Sequence, residues 1–150
     1  MRPPRDPSAL EQVMGYAFSD PGLLNRALTR LAYAKEQGLG DAAHMDALAT
    51  LGDAVVDIVV IQSLVAAGEH DKGTITNRKT NCVNMTVLRR LAEQMSVEDY
   101  VYWGKGEDAQ AVWTSGRVLA ECMEALIGAV YLDGGIGAAE RVLKEIGLIC

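Results

Sequence analysis

Leu51-Gly52-Asp53-Ala54-Val55-Val56-Asp57 lies inside an apolar segment that reads as one long helix, from about Asp46 to Ala67. Charged side chains are almost never buried without a partner. Asp53 stands among Leu51, Val55 and Val56, so its charge needs balancing. A second apolar segment, Leu119-Ala120-Glu121-Cys122-Met123-Glu124-Ala125-Leu126-Ile127-Gly128, supplies candidate partners. Glu121 and Glu124 are three apart, on one helical face. Two apolar helices that carry acids on an inward face point to a divalent-cation site. Gly52 and Gly128 sit inside these helical patterns, where glycine costs about 1 kcal/mol relative to alanine. A close crossing of the two helices explains both.

Around this core the chain reads as all-α and as one domain over residues 1–150, with residues 1–7 a loose leader rich in Pro and Arg. Ser8 is expected to cap a short helix reaching Met14, and Asp20-Pro21 to open a second one running to about Thr29. Leu31 to Lys35 gives a further short helix. Gly68 ends the long central helix. Asp71 to Asn81 is polar and helical, and Asn84 caps a helix striped by Val87, Leu88, Leu91 and Met95. Tyr100 to Glu107 reads as a turn. The last two helices, about Gly116 to Leu132 and Ile136 to Ile146, are separated by Asp133-Gly134-Gly135.

Bulk properties narrow the function. With 150 residues and 49% hydrophobic residues the chain can build a real core. Its formal charge of −6 is unusual for a stand-alone nucleic-acid binder, so any such contact needs a local basic face or bound cations. Cys82, Cys122 and Cys150 show no CxxC spacing and suit reduced thiols in a cytoplasmic protein. No Cys/His spacing suggests zinc. The N-terminus lacks the apolar stretch of a signal peptide, and the longest uninterrupted apolar run, Ala125 to Leu132, is too short for a bilayer, so no membrane association is expected.

Four stretches, in order, resemble the catalytic domain of the ribonuclease III family. They are Met14-Gly15-Tyr16-Ala17-Phe18-Ser19-Asp20-Pro21-Gly22-Leu23-Leu24 with Ala27-Leu28-Thr29, then Leu51 to Val55, then Gly104-Lys105-Gly106-Glu107, then Glu124 to Gly135. The resemblance implies an endonuclease-domain helical fold with two crossing acidic core helices. It also implies a Mg²⁺-dependent endoribonuclease, with Mn²⁺ as a substitute, hydrolysing phosphodiesters in double-stranded or structured RNA. Family members usually bring four acids to each site. Asp53 and Glu124 match that pattern unchanged. Glu121 stands where the family has aspartate, adding a methylene, and Ala49 stands where it has glutamate. Asp53, Glu121 and Glu124 are therefore the expected metal ligands and catalytic residues, with Asp46 one shell out or merely a helix-start acid. Ala47 to Ala54 is similar to the shorter Mini-III branch, which has alanine at this place and no double-stranded-RNA-binding domain. No such domain is expected here either. Three clustered carboxylates without a metal repel, so at least one should hold its proton to unusually high pH.

The resemblance places Arg78, Lys79, Lys105 and Arg117 near family RNA-contact regions, although Arg117 is equally able to pair with Glu121 one turn on. It also implies a homodimer. Thr50 occupies the position of the family's aromatic dimer anchor, which leaves the apolar face with Val55, Val59 and Ile61 to carry dimerisation. Ala49 and Thr50, in place of the family's glutamate and aromatic, keep an alternative open: a catalytically degenerate ribonuclease III-fold module that binds RNA or a protein partner.

Overall fold

In the computed structural model, which describes residues 3–148 and Cys150, helices follow one another along the chain. They are α1 (Pro7–Met14), α2 (Pro21–Ala27), α3 (Leu31–Glu36), α4 (Asp46–Ala66), α5 (Lys72–Cys82), α6 (Met85–Gln94), α7 (Lys105–Ala109) and α8 (Val118–Glu145). Short 3-10 turns lie at Asp41–Ala43, Val97–Asp99 and Val112–Thr114. The starts are set by side-chain caps. Asp20 accepts from the Gly22 N–H, Asp71 from Thr74 and Asn84 from Val87. The first helix departs from expectation: Asp6, not Ser8, is its cap, because Pro7 takes the first helical position. A second departure is α7, which falls in the stretch expected to be a turn. Glu107, at its third position, accepts from the Gly104 N–H and closes the first turn from below.

The hub is α8, not α4. From Leu119 to Val130 every α8 residue except Glu121 is buried, because α4, α6 and α2 surround it. By length and hydropathy α4 and α8 both match a membrane span, which the uninterrupted runs in the sequence do not show. Most of that α8 window is buried against the other helices. The other long helix, α4, buries Leu48, Gly52, Val55, Val56, Val59, Val60 and Leu64 and leaves its opposite face open.

The two helices cross with their backbones in contact, as the glycine positions predict. A Cβ on Gly52 would overlap the Glu124 carbonyl oxygen, and one on Gly128 would overlap that of Leu48. Beyond the crossing, α8 is broken at Gly135, whose φ of 85° and ψ of −177° lie outside the helical region. The separation expected at Asp133-Gly134-Gly135 is thus a kink within one element. Asp133 ties this kink to the N-terminus. It accepts from the Tyr16 hydroxyl at 2.5 Å and from the Ser19 and Asp20 N–H groups at 2.8 and 2.9 Å. These bonds hold its carboxyl below the ordinary range, and burial beside it pushes the Tyr16 phenol up to about 12.

A single parallel bridge joins Thr29 to Tyr102. The Tyr102 N–H donates to the Leu28 carbonyl at 2.8 Å and the Arg30 N–H to the Tyr102 carbonyl at 3.2 Å. This bridge carries α7 alongside Arg30. The cysteines also differ from expectation. Cys82 and Cys150 are joined as a disulfide, with Cα atoms 5.1 Å apart, because the chain after α8 folds back to the end of α5. Only Cys122 is a free thiol among the described residues. It is fully buried, and burial pushes it up to about 12.

Candidate metal and nucleic-acid site

Where α4 and α8 cross, Asp53 and Glu124 meet. Glu124 is 6% exposed and shares a hydrogen bond with Asp53. Burial first, then the bond to Asp53 and the charges of Asp53 and Glu121, push the Glu124 carboxyl up to about 8; Arg117 opposes the shift. At neutral pH Glu124 therefore keeps its proton at the contact with Asp53. Clustered carboxylates predict a rise of this direction, but burial of Glu124 is its larger cause. The burial runs opposite to the sequence reading, however. Asp53 is exposed and Glu124 is the buried acid. The reason is positional: α8 is enclosed on nearly all sides, whereas Asp53 projects from the edge of the open face of α4.

The third acid is engaged elsewhere. Glu121, half-exposed, lies 3.7 Å from the Arg30 guanidinium. Arg30 is anchored on its other side by Glu107, through Nε at 3.1 Å and Nη2 at 2.8 Å, and its guanidinium stands 5.7 Å over the Trp103 ring. Among the described residues no group of three or more His, Cys, Asp or Glu lies close enough to hold a metal together. The three expected ligands are thus two in contact and one turned aside. Two carboxyl groups, one of them open to solvent, still suit a hard divalent cation, which binds through one or two carboxylates and keeps several waters.

Asp46 starts α4, is largely exposed, and lies 3.9 Å from His44. It lines a cleft of about 380 Å³ with Arg30, Leu31, Lys35, Glu107 and Glu121. Ala49 is half-buried and packs on the core. Asp57 pairs with Lys79 at 3.5 Å, and Arg78 lies 3.8 Å from Glu69. Two of the four candidate RNA-contacting cations are thus already partnered. The Lys105 N–H donates to Glu36 at 2.9 Å, which fixes its backbone. Arg117 is exposed, and its charge reaches Glu124; Glu121 pairs with Arg30 instead of with Arg117.

Sequence reasoning overlooked Arg30 and Glu107. A signal was present: Arg30 stands between Leu28-Thr29 and Leu31, a charge in an apolar stretch, which is the argument applied to Asp53. The open apolar face also differs from expectation at Val55 and Val59, while Ile61 lies on it. Val55 and Val59 are buried within the chain, while Ile58, Ile61 and Val65 are the exposed members of α4, at 51%, 36% and 46%.

The sequence family described as Ribonuclease-III-like matches residues 20–148. The chain is 36% identical over 138 residues to Ribonuclease 3 of Oleidesulfovibrio alaskensis, covering 91% of this chain and 60% of that protein. It is 33% identical over 147 residues to Ribonuclease 3 of Syntrophobacter fumaroxidans, covering 97% of this chain and 61% of that one. It therefore spans about three-fifths of the length of these curated relatives. Two solved structures of the nuclease domain of Ribonuclease III from Campylobacter jejuni superpose with TM-scores of 0.83 and 0.78, at 25% and 26% identity. They cover 94% and 95% of this chain and 95% and 94% of their own. The first of them is described as flexible in a region involved in dimer formation.

Proposed function

The chain belongs to the Ribonuclease-III-like family, and from that premise we propose that it is a divalent-metal-dependent endoribonuclease acting on double-stranded or structured RNA. The observation that carries this reading is the Asp53–Glu124 pair. A buried carboxyl held against a second one at a helix crossing is costly to the fold, and a purely structural domain gains stability by replacing the pair.

Asp53 and Glu124 would hold the cation, with Glu121 beside them and Asp46 further out. Bound there, Mg²⁺ or Mn²⁺ supplies charge stabilisation at the phosphoryl oxygens and the leaving group. To act as a ligand Glu124 would have to release its proton to solvent. Asp53, on the solvent side, faces the phosphodiester. Arg117 stands near the carboxyls and meets phosphate directly, while Arg78, Lys79 and Lys105 steer the duplex from further away. With a net charge of −6, binding of RNA depends on the cation to cancel the carboxylates. The open apolar face of α4, with Ile58, Ile61 and Val65, is proposed to pair with a second copy.

The test is cleavage of a labelled RNA duplex in Mg²⁺ or Mn²⁺, wild type beside Asp53→Asn and Glu124→Gln. Metal-dependent cutting that both substitutions abolish, with the helical circular-dichroism signal retained, is the expected result. Wild-type protein that is folded and binds duplex RNA, yet never cuts it, would favour the degenerate binding module instead.

A further inference from the structure

Glu121 lies between two claims. On one side is the Asp53–Glu124 pair, whose proton it helps to retain. On the other is Arg30, with Nη1 3.7 Å from the Glu121 carboxylate. Arg30 cannot settle fully on Glu121, because Glu107 takes its Nε and Nη2 at 3.1 and 2.8 Å. Glu107 is itself fixed, since its other oxygen accepts from the Gly104 N–H at 3.1 Å. The guanidinium also meets the Met45 sulfur at 3.8 Å, the Trp103 ring and the buried Cys122 thiol, which burial keeps protonated. None of these offers a charge. The guanidinium is thus a cation built into the wall of the site, shared between a rigid acid and a movable one.

We propose that Arg30 is a positioning residue that competes with the divalent cation for Glu121, and that Glu107 sets the strength of this competition by holding the guanidinium back. This rests on the reading of Asp53 and Glu124 as a cation site. The longer reach of Glu121 lets it turn either to Arg30 or to the pair. The share that Arg30 holds is lost to the metal.

Two substitutions on one ion pair then act in opposite directions. Arg30→Gln frees Glu121 and tightens Mn²⁺ binding by about threefold to fivefold, the scale of a partly exposed ion pair. Glu107→Gln keeps an acceptor for the Gly104 N–H but releases the guanidinium onto Glu121, and weakens Mn²⁺ binding by a similar factor. Damage to packing alone moves both variants the same way. The measurement is Mn²⁺ affinity by electron paramagnetic resonance of the free ion, with no RNA present. Glu121→Gln is then added to the Arg30→Gln protein and is expected to erase the gain. Shifts of the same sign, or a gain that survives the loss of Glu121, overturn the proposal. If Arg30→Gln does not fold, an unchanged or tightened affinity in Glu107→Gln overturns it alone. Wild-type protein that binds no Mn²⁺ at millimolar concentration overturns the cation site itself, and this proposal with it. Wild-type binding that Glu124→Gln abolishes but neither Arg30→Gln nor Glu107→Gln alters leaves the site standing and removes only the role of Arg30.

Discussion

Glu124 makes the residue-scale chemistry measurable without substrate. Its carboxyl titrates near pH 8 in the folded chain against an ordinary value of 4.5, so folding takes up a proton between those limits. Below about pH 4.5 both states are protonated and nothing is lost. As pH rises, the unfolded chain ionises first, and stability falls until the folded carboxyl also ionises near pH 8. Urea denaturation in the presence of a chelator is expected to show this decline from pH 5 to pH 8.5. Glu124→Gln should flatten most of it, and saturating Mg²⁺ should reverse it, because a ligand of the native state alone stabilises that state. A wild-type curve that rises with pH over this window is incompatible with a proton held at the crossing. That Asp53 and Glu124 meet was legible from the sequence, since acids in facing apolar helices demand an explanation, whereas the turn of Glu121 toward Arg30 was not. Which of the acids is buried was not legible either. That depends on how many neighbours each helix has, and no local pattern carries that count.

At the scale of elements, the helix periods, the helix starts at Asp20 and Asn84 and the two crossing glycines were readable because each is a local signal. The short helix α7 was not, since Gly104 to Glu107 looks like a turn until Glu107 closes it from its third position. The Arg30–Glu107 pair was equally hidden, being joined across 77 positions by the Thr29–Tyr102 bridge. The crossing itself yields a sharp expectation. Gly52→Ala or Gly128→Ala drives a methyl into a neighbouring backbone carbonyl, which cannot rotate away as a side chain can. Each substitution should cost at least about 2 kcal/mol by chemical denaturation. Gly135→Ala forces alanine into a region it rarely occupies and should cost about 1–3 kcal/mol. A melting temperature unchanged by Gly128→Ala would mean that the helices do not meet backbone to backbone.

For the whole molecule, the open face of α4 bears on assembly. With Ile58, Ile61 and Val65 exposed there and Thr50 in place of a large anchor, the proposed dimer depends on small, distributed apolar contacts. Ile58→Asp with Ile61→Asp should convert a sedimenting dimer to a monomer while leaving the circular-dichroism spectrum unchanged. A wild-type protein that sediments as a monomer at high micromolar concentration would count against it. The Asp133 latch reaches further, into the order in which the protein is made. Its donors at Tyr16, Ser19 and Asp20 are synthesised early, and Tyr16 must wait 117 positions for its acceptor. The helices α2 and α4, which also pack on α8, wait in the same way, because α8 follows every other helix among the described residues. At about 5–20 residues per second, translation holds these surfaces unpaired for many seconds, a window in which nascent chains are exposed to aggregation or to chaperones. On the ribosome, the core that α2 and α4 share with α8 is completed only once α8 has emerged.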